Sequence, residues 1–178
     1  IKTYERTVVF LATAMIVGPI VMTIVGFANS PVDFEQALAA KNIPVPPAAP
    51  LPEFSVRAFL GTCVILFSSF IGFDAIAQAG GEARSARDLP RAIVIAISSV
   101  GSYYIVFTAA VYHAVPWQHI YRVSLVQDIS APALMAPLMP AWLAVVILLA
   151  VTAAILNAIL GVMLGNSRML YAFSADRV

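Results

Sequence analysis

The sequence predicts an all-α membrane protein with four transmembrane helices, and its composition and charge pattern carry that prediction. Apolar residues make up 61% of the 178 residues and charged residues only 11%. So few polar side chains cannot cover a water-soluble globule of this size. The net charge of +1 gives no indication of nucleic-acid binding. Because Cys63 is the single cysteine, neither a disulfide framework nor a cysteine metal cluster is expected, and no cofactor is predicted.

Four apolar runs have the length of a membrane span. At about 1.5 Å per residue, each run crosses a hydrocarbon core of roughly 30 Å as a helix. The chain starts at Ile1 without a methionine, so we expect a piece of a longer protein, with residues 1–178 forming a single partial transmembrane domain. The predicted spans are residues 8–27, 58–81, 92–114 and 141–165.

The positions of lysine and arginine predict the orientation of these spans. Seven of these side chains lie before the first span, between the second and third, and after the fourth, against three on the opposite side. The positive-inside rule therefore predicts a multi-pass protein of the cell membrane with both ends of the chain in the cytoplasm. The outer loops, 28–57 and 115–140, carry ten of the twelve prolines, and we expect an extended segment over 44–52. In the short inner loop, 82–91, Asp88 and Pro90 are typical of a helix start.

Asp74 is the one acidic side chain inside a predicted span. It lies eight residues before Glu82. A helix over these residues would place the Asp74 carboxylate about 12 Å from the charge of Glu82 along the helix axis, and so well inside the bilayer. The Ser and Gly residues of the segment 68–73 weaken a helix, so we expect a break there whose free backbone groups can bind a polar ligand. Three roles stay open for Asp74: capping the second half-helix, pairing with a cation on another helix, and serving a transport pathway.

Two motifs resemble a known family. The stretch "FIGFDAIAQAGGEARSARDLPRAI", residues 70–93, is similar to the sixth transmembrane segment and the following loop of the amino acid–polyamine–organocation permeases. The stretch "LNAILGVMLGNSRMLYAFSADRV", residues 156–178, is similar to their eighth segment and its cytoplasmic end. By this resemblance the four spans are segments five to eight. The motifs cover about a quarter of the chain, and their order agrees with the predicted topology.

The resemblance implies part of a LeuT-like transporter with five-plus-five inverted repeats, in which broken segments hold the substrate near the midplane. The second span is then the broken sixth segment. Its carbonyls at Ser68 and Ile71 are expected to hold an amino group, Gly72 opens the break, and Asp74 faces the cavity or its inner gate. The carboxylate-binding half is expected upstream of Ile1. Phe67 and Phe73 flank these groups.

The sequence departs from the family pattern at two places. Relatives commonly carry Phe or Trp six residues before the acid of the sixth segment, whereas this chain has Ser68 beside Phe67. In those relatives the aromatic side chain closes over the substrate, and at this position the present chain has a serine instead. Some relatives also carry a lysine in segment five that is linked to proton coupling, but residues 8–27 contain no ionisable side chain. Proton symport and exchange both stay open.

The fourth span contributes the last candidate site residue. Ala153, Asn157, Gly161 and Gly165 recur every four residues and share one narrow face of a helix. This face favours close helix packing, with direct substrate or water contact by Asn157 as the alternative. The candidate substrate-binding residues are therefore Phe67, Ser68, Ile71, Gly72, Phe73, Asp74 and Asn157.

Together these features predict a permease for amino acids or related amines, acting by alternating access. Its expected partners are the substrate, the lipid bilayer and the remaining helices of the full-length protein, with protons as a further partner in the case of symport. An enzyme is not expected, because no nucleophile, base or second acid accompanies Asp74 at depth. A channel subunit and a non-transporting membrane scaffold are the alternatives. His113 is expected to anchor the outer end of the third span. Gly18 and Pro19 are expected to bend the helix of the first span.

Overall fold

A computed structural model describes residues 2–47, 49–70 and 87–175, and every regular element in these residues is helical. The candidate residues Ile71, Gly72, Phe73 and Asp74 lie outside the described residues. Seven α-helices are described: α1 (Lys2–Ala28), α2 (Pro31–Ala40), α3 (Val56–Phe67), α4 (Asp88–Ala114), α5 (Trp117–Ser124), α6 (Ala131–Met135) and α7 (Ala141–Ala175). Two short 3₁₀ turns, Ser68–Phe70 and Ala136–Leu138, follow α3 and α6.

Three described helices are long and apolar enough to cross a membrane. These segments are Val9–Ala28 in α1, Asp88–Ala114 in α4 and Ala141–Tyr171 in α7. The helices α1, α4 and α7 contain the predicted first, third and fourth spans. The second predicted span is described only as the shorter apolar segment Val56–Phe70, so the count of four stays a prediction.

The helix boundaries follow from local sequence signals. α4 begins at Asp88 with Pro90 in its first turn, where an acid and a proline are both favourable. α1 continues through Pro19, and the Thr23 hydroxyl donates a hydrogen bond to the Pro19 carbonyl at 2.9 Å. A bend at this proline stays a prediction. The segments 43–47 and 49–55 contain no helix or strand, as their prolines predict.

The helix α2 was missed by the sequence prediction, which treated residues 28–57 as a loop. Ser30 accepts a hydrogen bond from the backbone N–H of Asp33, and the Asp33 carboxylate accepts one from the N–H of Ser30 at 2.8 Å. This reciprocal arrangement is a capping box, and Pro31 occupies the first turn. The Ser30 hydroxyl and N–H hold the pKa of Asp33 below its ordinary value of 3.8.

The chain divides into two compact units. The first consists of residues 1–51 and 105–157, and the second of residues 52–104 and 158–178. The first unit has a hydrophobic core in which Phe34 of α2 and Met135 of α6 are almost fully buried. In the second unit no described side chain is buried. The other core residues of the first unit are Met22, Leu38, Val111, Ala114, Val115, Leu134, Met139 and Ile147.

Candidate functional site

The described candidate residues fall in different units. Phe67 and Ser68 belong to the second unit, and Asn157 belongs to the first. The four candidates from Ile71 to Asp74 lie outside the described residues, and their roles stay predictions.

The α-helix of the second predicted span ends inside its apolar run. α3 stops at Phe67, and the backbone tightens into the 3₁₀ turn Ser68–Phe70. Backbone N–H groups at the Ser68 cap donate to the carbonyls of Ile65 and Leu66, and the Ser68 hydroxyl donates to the Ile65 carbonyl at 2.6 Å. The serine side chain thus adds a second hydrogen bond to a carbonyl near the end of the helix. The α-helix ends at Phe67, within one residue of the start of the segment where the sequence predicts a break.

The end of α3 is suited electrostatically to a cation. The aligned peptide dipoles of a helix leave partial negative charge on its last carbonyls, so an ammonium group is stabilised there. Phe67, at this end, is 72% exposed and supplies an apolar surface beside the polar turn. An exposed aromatic ring next to carbonyl oxygens can accept both the apolar and the ammonium part of an amine.

The turn after α3 is held by α4 through a contact that the sequence prediction missed. The Tyr104 hydroxyl donates a hydrogen bond to the Ser69 carbonyl at 3.0 Å. The Tyr104 ring also meets the Phe70 ring edge to face, with centroids 5.4 Å apart and planes at 76°. One turn earlier on α4, a Cβ added to Gly101 would lie 3.6 Å from the Phe70 ring. Gly101 and Tyr104 thus form one face of α4 that receives Phe70.

Asn157 lies on α7 and is half-buried. Four residues further on, Gly161 is exposed, and a Cβ added there would meet no described atom within 4 Å. Among the described residues, close packing through Gly161 is therefore not observed. Whether Asn157 contacts a substrate or water stays a prediction.

The first unit contains a cavity of about 730 Å³. Its walls come from α2, the proline-rich segment 43–47, α5 and the residues around α6. The lining is mainly apolar, and its charged side chains are Lys41 and Asp128. The Lys41 ammonium donates hydrogen bonds to the carbonyls of Met139 at 2.9 Å and Ala136 at 3.4 Å. Lys41 thereby fastens the end of α2 to the turn that follows α6.

His119 lines the same cavity on α5. Its ring meets Phe34 edge to face, with centroids 5.0 Å apart. Burial lowers the pKa of His119 below its ordinary value of 6.5, and the neighbouring Arg122 cation lowers it further. Both effects favour the neutral form of the imidazole. The proline and histidine positions were visible in the sequence, but the cavity depends on how α2 and α5 pack.

A comparison with protein-family models identifies the family of the chain. The model of the amino acid permease family matches residues 1–178. The chain belongs to this family. The resemblance to the amino acid–polyamine–organocation superfamily is thereby confirmed. A search of curated proteins and a search of solved structures found no match.

In this permease, His113 fastens the C-terminal end of α4 to the C-terminal end of α1. Its Nδ1 lies 3.1 Å from the Asn29 carbonyl oxygen and 3.3 Å from that of Gly26. Both partners are acceptors, so the ring in its neutral form carries its proton on Nδ1 and donates it. His113 also lies 5.8 Å from the Phe27 ring, centroid to centroid. This geometry favours the predicted anchoring role over a proton relay.

The described part of the permease contains no group of three or more His, Cys, Asp or Glu side chains that could hold a metal ion. The second unit contains a helix end with a polar turn, and an aromatic and hydroxyl contact that holds this turn. The first unit contains a mainly apolar cavity. Each of these two features, taken by itself, offers hydrogen-bonding groups and apolar contact to a small molecule.

Proposed function

We propose that this permease is a secondary transporter that moves amino acids or related amines across the cell membrane by alternating access. The match of the amino acid permease family to residues 1–178 carries the proposal. Three long apolar helices support a membrane setting. In the proposed LeuT-like architecture, the described helices α1, α3, α4 and α7 contribute to segments five to eight.

The end of α3 supports a substrate site at the predicted break. A helix that stops at Phe67 within an apolar run directs the negative end of its dipole into a region where a membrane supplies no water. An ammonium group is stabilised there, because both the helix dipole and charge-assisted hydrogen bonds to carbonyls favour it. We therefore assign the amino group of the substrate to the carbonyls of Ser68 and Ile71, with Phe67, Gly72, Phe73 and Asp74 around it. Asn157 is proposed as a further contact.

Solute flux tests this function directly. The protein expressed from its whole gene should be purified, reconstituted in liposomes, and given a panel of radiolabelled amino acids and polyamines. A carrier takes up its substrate with saturation, and unlabelled substrate inside the liposomes accelerates entry of the label. Flux that never saturates and shows no such exchange would instead identify a channel, and absence of any flux would favour a scaffold. Repeating uptake with and without a pH gradient separates proton symport from exchange.

Asp74 is proposed to act through its charge. The Asp74→Asn variant keeps the shape and some hydrogen bonding, and Asn caps a helix about as well as Asp. We therefore expect Asp74→Asn to reach the membrane folded and to lose most transport. The Asp74→Leu variant removes charge and hydrogen bonding together and is the control for burial. Normal transport by Asp74→Asn at every pH would reduce Asp74 to a structural cap.

The proposed orientation places both ends of the described chain in the cytoplasm, as the count of seven basic side chains against three predicts. Single cysteines in the loop 82–91, in a background without Cys63, should react with an impermeant thiol reagent only from the inside. Cysteines in the segment 31–52 should react only from the outside. The reverse pattern would contradict the orientation.

A further inference from the structure

We propose that Tyr104 is a positioning residue for the substrate segment: its hydroxyl fixes the turn Ser68–Phe70, and so the direction of the carbonyls at the break. The inference rests on the proposed function, because it assigns that turn to the substrate site. The hydroxyl lies 3.0 Å from the Ser69 carbonyl oxygen. Tyr104 itself is not proposed to touch the substrate.

Ser69 lies where a side-chain donor from another helix can stabilise the backbone. The α-helix has already ended at Phe67, and Ser69 lies in the middle of a three-residue 3₁₀ turn. The Ser68 hydroxyl is directed backwards, to the Ile65 carbonyl. A carbonyl left without a donor in an apolar setting carries the full penalty of desolvation. The Tyr104 hydroxyl supplies a donor to the Ser69 carbonyl in the observed backbone conformation, and therefore favours this conformation over those in which the hydrogen bond is lost.

The ring of Tyr104 adds a second constraint on the same turn. Phe70 packs edge to face on Tyr104 with a centroid distance of 5.4 Å, and lies over Gly101. Tyr104 and Gly101, on one face of α4, thus hold Ser69 in the middle of the turn and Phe70 at its end. The ring contact alone leaves the carbonyl of Ser69 free to rotate, whereas the hydrogen bond does not, since it requires the oxygen to face α4.

Neighbouring carbonyls of the proposed site therefore accept hydrogen bonds from different partners. The Ser69 oxygen is occupied by Tyr104 and is withheld from the substrate, whereas the neighbouring Ser68 carbonyl keeps its proposed amine-binding role. Loss of the Tyr104 hydroxyl releases the Ser69 oxygen and loosens the turn. Binding of the amino group then weakens, because the acceptor set is no longer preorganised.

Transport kinetics provide the first test, with the protein expressed from its whole gene. Tyr104→Phe removes the hydroxyl and keeps the ring, so we expect KM for the transported amino acid to rise about threefold to tenfold, the range expected for one lost hydrogen bond. We expect the amount of protein in the membrane and Vmax to change little. Tyr112→Phe is the matched control on the same helix, since Tyr112 is more than half exposed, and it should behave like the parent. An unchanged KM in Tyr104→Phe would overturn the inference.

A second test does not depend on transport. In a Cys63→Ala background, Ser69→Cys introduces a thiol on the turn and keeps the backbone carbonyl that accepts from Tyr104. We expect Tyr104→Phe to accelerate the reaction of this thiol with a water-soluble maleimide severalfold in detergent, and Tyr112→Phe to leave it unchanged. Phe70→Leu removes the ring contact and keeps the hydroxyl bond, so its effect should be smaller. Equal acceleration by Phe70→Leu, or none by Tyr104→Phe, would show that the hydroxyl does not hold the turn.

The two tests separate the inference from the proposed function. A parent protein that transports nothing, but whose labelling depends on Tyr104, refutes the proposed function and keeps the turn contact. A parent that transports, with Tyr104→Phe equal to it in both KM and labelling rate, keeps the function and refutes the role of Tyr104.

Discussion

The two units of the permease differ in how their apolar side chains are covered. In the first unit, side chains from α1, α2, α4, α6 and α7 bury one another around Phe34 and Met135. In the second, no described side chain is buried, and its best-defined contact is the small cluster of Phe70, Gly101 and Tyr104. This buried core holds the helices of the first unit together. The second presents apolar surface that lipid or further protein must cover, as a membrane setting supplies.

The largest expected difference between the units concerns two phenylalanines. Phe34 is 1% exposed in the core of the first unit, and Phe54 in the second is 81% exposed. Phe34→Ala leaves a cavity in a packed core, so we expect a loss of about 3 to 5 kcal/mol in the free energy of unfolding. Phe54→Ala is the matched control and should have little effect. Thermal unfolding of both variants in detergent measures the difference; comparable losses would contradict the contrast in packing.

The next largest effect concerns two helical glycines. A Cβ added to Gly26 of α1 would lie 2.6 Å from the backbone oxygen of Ala110 on α4, whereas one added to Gly61 of α3 would meet no described atom within 4 Å. Because the obstacle is backbone, Gly26→Ala forces the helices apart and should destabilise by about 1 to 3 kcal/mol. Gly61→Ala should be neutral or stabilise by roughly 0.5 kcal/mol, since alanine favours a helix. Equal unfolding temperatures for the two variants would refute the close approach of α1 and α4.

Helix caps supply a third contrast. Ser30 forms a complete capping box with Asp33 in the first unit, whereas Ser55 in the second accepts a single hydrogen bond from the N–H of Ala58 at 3.4 Å. Ser30→Ala should lower the free energy of unfolding by about 1 kcal/mol, and Ser55→Ala by less. Denaturant titration of the two variants measures this. A larger loss from Ser55→Ala would show that the weaker cap carries more of the stability.

Much of the fold was predictable from sequence because it depends on local patterns. Apolar runs of sufficient length mark α1, α4 and α7, and the acid and proline at Asp88 and Pro90 mark a helix start. The α2 helix was predictable as well, because Ser30, Pro31 and Asp33 form the pattern of a capped helix start. The prolines of residues 44–52 indicate an extended segment, but that segment begins only after α2 has ended.

The candidate site was predictable only in part. The serines after Phe67 indicated a weak point in the helix, and the α-helix does end there. The contact between Tyr104 and Ser69 was not predictable, since it joins residues 35 positions apart and depends on how α4 lies against the turn. The close approach of Gly26 and Ala110 was missed for the same reason. Local helix propensity predicts where the helix ends, whereas the hydrogen-bond partners of the carbonyls that follow depend on tertiary packing.

The smallest expected effect is a pH dependence confined to the first unit. Burial and the Arg122 cation lower the pKa of His119 below 6.5, so between the lowered pKa and 6.5 the unfolded chain binds more protons than the folded chain. Stability therefore rises with pH in this window: the full stability is present above pH 6.5 and falls as the pH drops towards the lowered pKa. The Asp33 carboxyl has the same sign but titrates at and below 3.8, outside this window.

His119→Phe tests this dependence, because phenylalanine keeps an aromatic ring against Phe34 and binds no proton. We expect the unfolding temperature of the parent to fall more steeply than that of His119→Phe as the pH is lowered through 6.5, with the two curves parallel above it. Comparing the two proteins at each pH cancels the contribution of every other titrating group that the substitution leaves alone. Parallel curves through the whole range would mean that His119 takes up its proton as readily in the folded permease as in the unfolded chain, and that the cavity beside it is open to water.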